Sequence, residues 1–349
     1  METHLLNWEQ LRAYCQKLLQ TQGMPEDEAL TVADSLVWAD LCGVESHGVS
    51  RMTIYTKRLE EKVVNAVCQL KVEQEYAASI AINGCNSMGI VVSKKAMEKC
   101  IEKAKQSGSC FVTVNNSNHN GMAYYFVKMA ADQGMFGFSV TNAPPNIAPW
   151  GSAKPYHGTN PIAFAAPTNE EPVILDMAPS LVAMGKVILA AKLGKPSIPE
   201  GWALDSDGKP TTDPKEGVKG SVVPIGGPKG SGLTFFVDVI CGILAGAKWG
   251  PHLGNLFNDF VNPQNVGHAF ACIDISKFIP LETFKERLGQ MKKEIKALPK
   301  QEGVSEIFMP GEIEWKKMIE RKETGVPVPE PIYNELKQLG EKYNVPFTL

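Results

Sequence analysis

The sequence predicts an α/β protein in which one central mixed-sheet domain is flanked by a helical domain built from both chain ends. Three observations carry this. Helical patterns fill the chain up to about residue 70 and return from 281 onward. Between them, strand-like runs alternate with helix-like runs, the order expected of a layered α/β structure. The chain of 349 residues is 44% hydrophobic and 21% charged, enough length and apolar content for two domains with a sizeable core. The expected division is 1–72 with 281–349 for the helices, and 73–280 for the sheet.

Residues 8–22 and 25–43 carry helical periodicity. The second run has Pro25 at its start, Glu26, Asp27 and Glu28 in its first turn, and Gly43 just past its end. Those residues suit the positive N-terminus and the left-handed exit of a helix. A third helix is expected over 46–59, with almost no strand signal before residue 70. Then 77–82 reads as a strand and 87–106 as a helix anchored by Met88, Val91, Met97 and Ile101. Next come a strand at 110–115, a helix at 122–132 and a strand at 136–141. Further strands are expected at 161–166, 172–177 and 268–274, with helices at 180–192 and 230–246. Residues 194–220 are crowded with turn residues and charges and read as a long surface excursion. Helices at 282–297, 311–322 and 330–343 complete the chain.

Net charge is −3 and the isoelectric point about 6.1. No global charge draws the chain to nucleic acid or to an anionic membrane, and neither is expected as a partner. The N-terminus is an amphipathic helix with no basic segment followed by an apolar core, so no signal peptide is expected. The longest apolar run, 233–247, contains Asp238 and several glycines and is too short and polar to span a bilayer. Eight cysteines form no C-x-x-C pair and mostly sit in apolar runs, as buried free thiols do in a reducing compartment. A cytoplasmic location follows.

Two histidines have informative surroundings. His47, Arg51 and Tyr55 recur at every fourth residue, which on a helix would share one face. Such a stripe can grip a carboxylate through Arg51. It can equally be a solvated face capped by Ser46. His119 lies among asparagines where a strand gives way to a helix. Ligands in α/β sheets bind beyond the carboxyl ends of strands, and an imidazole there can exchange a proton with substrate. An Asx-rich turn with an incidental histidine is the other reading. Asp176 ends a second strand. Lys229 stands in the glycine-rich run PIGGPKGSGL, which suits a phosphate cradle before a helix but is neither G-x-G-x-x-G nor a Walker A sequence. Thr159 and Asn160 precede another strand. A metal site from His47, His119 and Asp176 has no short ligand spacing to support it, and none is expected.

The segments SHGVSR, NHNGMAYYF, GTNPIAFAAP, LDMA, MGKV, GGPKGSGL and PGE occur in an order that resembles the malate/L-lactate dehydrogenase family unrelated to Rossmann-type enzymes. The resemblance spans roughly residues 5–325. It implies a homodimeric NAD(P)-dependent oxidoreductase with a nucleotide-binding sheet domain of non-Rossmann type, acting on a small 2-hydroxy or 2-oxo acid. By resemblance, His119 is the proton acceptor, and Ser46, His47, Arg51 and Tyr55 form the substrate and active-site helix. Ala143, Asn160, Asp176, Met177, Ala178, Lys229, Gly311, Glu312 and Ile313 fall on the cofactor side. Ala143 stands where relatives often have Ser or Thr, and an extra proline beside it bears on the nicotinamide pocket. L-malate or L-lactate is the expected substrate, with NAD ahead of NADP. Ureidoglycolate oxidation and cyclic-imine reduction use the same machinery. A metal-dependent hydrolase and a non-catalytic binding protein are the rivals from other classes.

Overall fold

Seven strands form the central sheet of the computed structural model, which describes residues 2–349. In chain order they are β1 (Lys71–Glu75), β2 (Ser79–Asn83), β3 (Ser109–Ser117), β4 (Met135–Thr141), β5 (Ile162–Ala166), β6 (Val173–Met177) and β7 (Val266–Asp274). Their spatial order is β1-β2-β3-β7-β4-β5-β6. The β2–β3 pair is parallel and the other five pairs are antiparallel. The sheet is therefore mixed, as expected. One consequence places the site. Strands β2, β3, β4 and β6 all run the same way, so their carboxyl ends open on one rim, and β5 and β7 begin there.

Helices Gly89–Ser107 and Ala123–Asp132 pack on one face of the sheet. Val92 and Met97 of the first and Phe126 of the second join Val112, Phe270 and Cys272 of the sheet in one apolar core. That core continues through Leu11, Leu18 and Leu36 of helices Trp8–Thr21 and Glu26–Leu41. On the other face, Val237 and Cys241 pack on Val140, Ile162 and Ala269. The expected helix over 230–246 is Pro228–Asp238 followed by a wider π-helical turn, Val239–Leu244. The excursion at 194–220 is partly ordered. Ala203–Leu204, Pro210–Thr211 and Ser221–Val222 form a small sheet beside helix Pro214–Lys219.

The chain ends meet. Thr3–Leu6 is a strand, against the expectation of almost none before residue 70, and pairs antiparallel with Val326–Pro329. Four residues are too few for a periodic signal, and the partner lies at the far end of the sequence. The helix expected over 46–59 is also interrupted. Two 3-10 turns, Glu45–His47 and Val49–Arg51, precede helix Met52–Glu60. Among the described residues, no helix is long and apolar enough to cross a membrane.

Candidate active site

The break at residue 48 has a clear cause. Asp40, 4% exposed at the end of helix Glu26–Leu41, accepts the Val49 N–H at 2.7 Å. Gly48 lies so close that a Cβ there would sit 1.8 Å from Asp40 Oδ1. The carboxyl thus holds the backbone of 48–49 in an extended kink and sets the two turns that carry Ser46, His47 and Arg51. Arg321 ties the same segment to the C-terminal helices, through Glu45 at 2.7 Å and the Asp40 carbonyl.

His119 leaves β3 two residues after Ser117, at the rim. Its backbone N–H donates to Gln264 Oε1 at 3.1 Å. The asparagines around it are structural props: Asn118 Nδ2 donates to the Ser87 carbonyl at 2.9 Å, and Asn120 Nδ2 reaches Ser93 Oγ at 3.3 Å. Above this turn, the Tyr55 hydroxyl lies 2.6 Å from His119 Nδ1. The His47 ring stacks on His119 with centroids 5.6 Å apart. Ser46 Oγ is 3.0 Å from His47 Nδ1, and Arg51 Nε donates to the Ser46 carbonyl at 2.7 Å. His47, Arg51, Tyr55 and His119 therefore converge, although not through one continuous helix face.

Burial sets the charge state of this group. It holds the His119 imidazole well below its usual range, with His47, Arg51 and His268 acting in the same direction. Burial, then Arg51, lowers His47 to about 4. Burial raises the Tyr55 phenol, with Arg51 opposing. Two neutral imidazoles and a neutral phenol thus face one guanidinium.

Of the residues nominated for the cofactor side, Ala143, Asn160, Asp176, Met177 and Ala178 line the same rim, whereas Gly311, Glu312 and Ile313 sit at the opposite end of β6. Ala143 follows β4, Asn160 precedes β5, and Asp176–Ala178 end β6. Asn160, fully buried, accepts the Ala143 N–H at 3.0 Å and donates to the Thr234 carbonyl at 3.0 Å. Asp176 accepts the Tyr124 N–H at 2.8 Å, at the start of helix Ala123–Asp132. Burial raises its carboxyl to about 6 against the opposing N–H groups of Tyr124 and Ala123. Just beyond Ala178, Pro179 accepts the Ile225 N–H at 2.9 Å, which brings the glycine turn alongside. Gly226 and Gly227 take left-handed φ of 59° and 61°, and Lys229 is exposed on the first turn of helix Pro228–Asp238. Among the described residues Lys229 makes no ion pair. The N–H groups of Lys229, Gly230 and Ser231 already donate to the carbonyls of Gly226, Ile225 and Gly227. The bare Lys229 cation, at the positive end of a helix, is therefore the group here that suits a pyrophosphate, and with it these residues fit a dinucleotide.

The Gly311–Ile313 turn docks on β6, where the Pro310 carbonyl accepts the Ile174 N–H at 3.1 Å. Glu312 is committed to Lys296 and Lys316, which leaves the backbone and Ile313 for other contacts. Gly311 and Glu312 also border a cleft of about 1030 Å³ between 168–173 and helix Leu281–Lys296, which His119 does not line. His47, His119 and Asp176 do not converge as metal ligands. Among the described residues, the group of that kind is Glu2, His4 and Glu330, within 4.8 Å of one another at the paired chain ends.

Sequence reasoning missed Gln264, Arg58 and Phe257. The buried Arg58 donates from Nη1 to the carbonyls of Asn255, Leu256 and Asp259, at 3.4, 3.2 and 2.6 Å. The loop so held lays the Phe257 ring 4.9 Å from the Arg51 guanidinium. None of these residues carries a local signal.

The fold recurs in dehydrogenases. The structure of sulfolactate dehydrogenase from Methanocaldococcus jannaschii superposes with a TM-score of 0.93 at 37% identity, covering 98% of each chain. Residues 6–337 match the family described as malate/L-lactate dehydrogenase. The chain belongs to that family and is an oxidoreductase. It is 40% identical to malate dehydrogenase of Pyrococcus horikoshii over 345 residues, covering 97% of this chain and 95% of the relative. It is 35% identical to the NAD(+) ureidoglycolate dehydrogenase of Escherichia coli O157:H7, covering 92% and 91%. A nicotinamide cofactor and a small hydroxy or oxo acid substrate go with the family.

Proposed function

We propose that the chain interconverts a 2-hydroxy acid and its 2-oxo acid, L-malate/oxaloacetate or L-lactate/pyruvate, with NAD as cofactor and NADP as the alternative. The observation that carries this is the Tyr55 hydroxyl 2.6 Å from His119 Nδ1, beside Arg51. Burial keeps His119 neutral, so it meets a hydroxy acid as a base. With Nδ1–H directed at the Tyr55 oxygen, Nε2 keeps its lone pair and takes the hydroxyl proton. In the reverse direction the imidazolium left by that step, its Nδ1–H still held by the Tyr55 oxygen, returns the Nε2 proton to the oxygen of the 2-oxo acid as hydride arrives. The phenol thus selects the tautomer. Arg51 grips the substrate carboxylate through two parallel hydrogen bonds and fixes the face presented. Ser46 and His47 complete the substrate wall. A bound nicotinamide supplies the hydride acceptor, or the donor in reverse. Asp176, Lys229 and the backbone of Ala143, Met177 and Ala178 hold that cofactor, together with Asn160 and the Gly311–Ile313 turn.

We also propose a cytoplasmic homodimer. Helix Pro228–Asp238 and its continuation expose Leu233, Phe236 (62%), Ile243 and Leu244 (64%). A continuous apolar surface of this kind suits a second copy of the chain. A monomeric mass by light scattering at micromolar protein would rule this out. The activity is tested by absorbance at 340 nm with oxaloacetate, pyruvate and sulfopyruvate, each with NADH and NADPH. A fall with one of these acids is expected. Turnover with ureidoglycolate or a cyclic imine alone would change the substrate and keep the machinery. No turnover with any of them would refute the proposal.

A further inference from the structure

His268 is completely buried in β7, between the two strands whose exits form the reaction centre. Its Nε2 lies 2.9 Å from Ser117 Oγ at the end of β3, and its Nδ1 lies 2.8 Å from Thr141 Oγ1 at the end of β4. His119 follows Ser117 by two residues, and Ala143 follows Thr141 by two. No local pattern marks this histidine, and neither the substrate wall nor the cofactor set includes it.

Proton counting fixes its state. The Thr141 hydroxyl donates to the Gly267 carbonyl at 3.1 Å and to that of Asn142 at 3.3 Å. Its oxygen can then only accept from the ring, so Nδ1 carries the hydrogen. Nε2 is left with a lone pair, which the Ser117 O–H satisfies. All three groups are paired when the imidazole is neutral. Burial supports this by lowering His268 to about 3, against a smaller opposing contribution from the Asn118 backbone.

The strand geometry is shaped to make the contact. Val266 pairs with Ser117, yet His268 pairs with Val114, so β3 carries one extra residue against β7. Asn116 in that stretch takes a left-handed φ of 47°. A bulge of this kind re-aims the following side chain, and here Ser117 turns onto the ring. The same twist directs the chain toward His119.

We propose that His268 is a positioning residue: a neutral cross-brace that fixes the gap between the exit of β3, with His119, and the exit of β4, with Ala143. This rests on the reading of His119 as the acid/base and of Ala143 as a cofactor neighbour. The brace sets how close substrate carbon and nicotinamide lie. Misplacement of reacting atoms by about 1 Å can cost about 10²-fold in rate.

The test compares His268→Phe, which keeps a ring and loses both bonds, with Ser117→Ala, which loses one arm. Expected for His268→Phe is a fall in kcat of about ten- to a hundred-fold, with the Kd for NADH within about two-fold of wild type. The primary isotope effect with NADH deuterated at C4 should rise as hydride transfer becomes slower. Ser117→Ala should show the same pattern at smaller size. A kcat within two-fold of wild type for both variants overturns the brace. If His268→Phe does not fold, Ser117→Ala decides alone, with an isotope effect equal to wild type as the overturning result. Ring nitrogen shifts of His268 in the wild-type protein, recorded by NMR from pH 5 to 8, give a readout independent of the reaction. A constant Nδ1–H tautomer is expected, and an Nε2–H tautomer or a titration in that range overturns the brace whether or not His119 proves to be the base.

Discussion

Asp40→Asn replaces a buried carboxyl by an amide of nearly the same shape, and its effect should depend on pH in a defined direction. Burial raises Asp40 from its ordinary 3.8 to about 8. The Val49 N–H opposes this, Glu45 adds to it, and Arg321 opposes it. The folded protein therefore keeps a proton that the unfolded chain releases above about pH 4. Stability must fall as pH rises through that window and level off above about pH 8. The span is roughly four pH units at 1.36 kcal/mol each, a ceiling of about 5 kcal/mol. The amide in the variant has no proton to lose, and its oxygen still accepts the Val49 N–H. The variant should match wild type near pH 5 and gain on it by up to about 4 kcal/mol by pH 8. Its turnover at pH 7 should stay close to wild type. The assay is urea unfolding of both proteins at one protein concentration and ionic strength, from pH 5 to 9. Parallel stability curves, or a variant that loses ground toward pH 8, would show that Asp40 is ionised in the folded state.

His119→Ala should lower turnover by about 10²–10⁴-fold and leave cofactor affinity nearly unchanged, as measured by steady-state kinetics and NADH fluorescence. Turnover within a few-fold of wild type would move the acid/base role to His47. Arg51→Lys should raise KM for the 2-oxo acid about ten- to a hundred-fold, because an ammonium cannot reproduce the planar two-bond grip. The same variant should bind NADH normally, and an unchanged KM would make Arg51 only the partner of Phe257 and the Ser46 carbonyl. Lys229→Ala should weaken binding of NADH and NADPH with no change in the far-UV spectrum, whereas equal dissociation constants would exclude a phosphate role.

Local periodicity made most of the sheet legible. The alternation in β3 and β4 and the helical anchors at Val91, Met97 and Ile101 are encoded within a few residues of one another. The position of His119 at a strand-to-helix turn was readable for the same reason. Its neighbours were readable only as residue types. The spacing of His47, Arg51 and Tyr55 suggested one helix face, yet the Asp40–Gly48 contact breaks that helix and still delivers the three side chains to His119. A carboxyl eight residues upstream in a different helix leaves no mark on the periodicity. Gln264 reaches His119 from 145 positions away, and Arg58 holds a loop about 200 positions on. Such contacts exist only once the chain has folded, and no window of sequence contains them.

The pairing of Thr3–Leu6 with Val326–Pro329 bears on how the molecule is made. Leu6 meets Val326, 320 residues later in the chain. At about 5–20 residues per second, a ribosome needs on the order of 20–60 s to bridge that gap. Meanwhile the first strand has no partner, and Tyr14 has no Leu336 carbonyl to bond. Thr53 lacks Glu335, and Glu45 lacks Arg321. The segment that presents His47 and Arg51 is thus clasped by residues made about 280 positions later. A growing chain can assemble its sheet before these contacts form, and a chain cut short before Arg321 lacks the clasp on that segment.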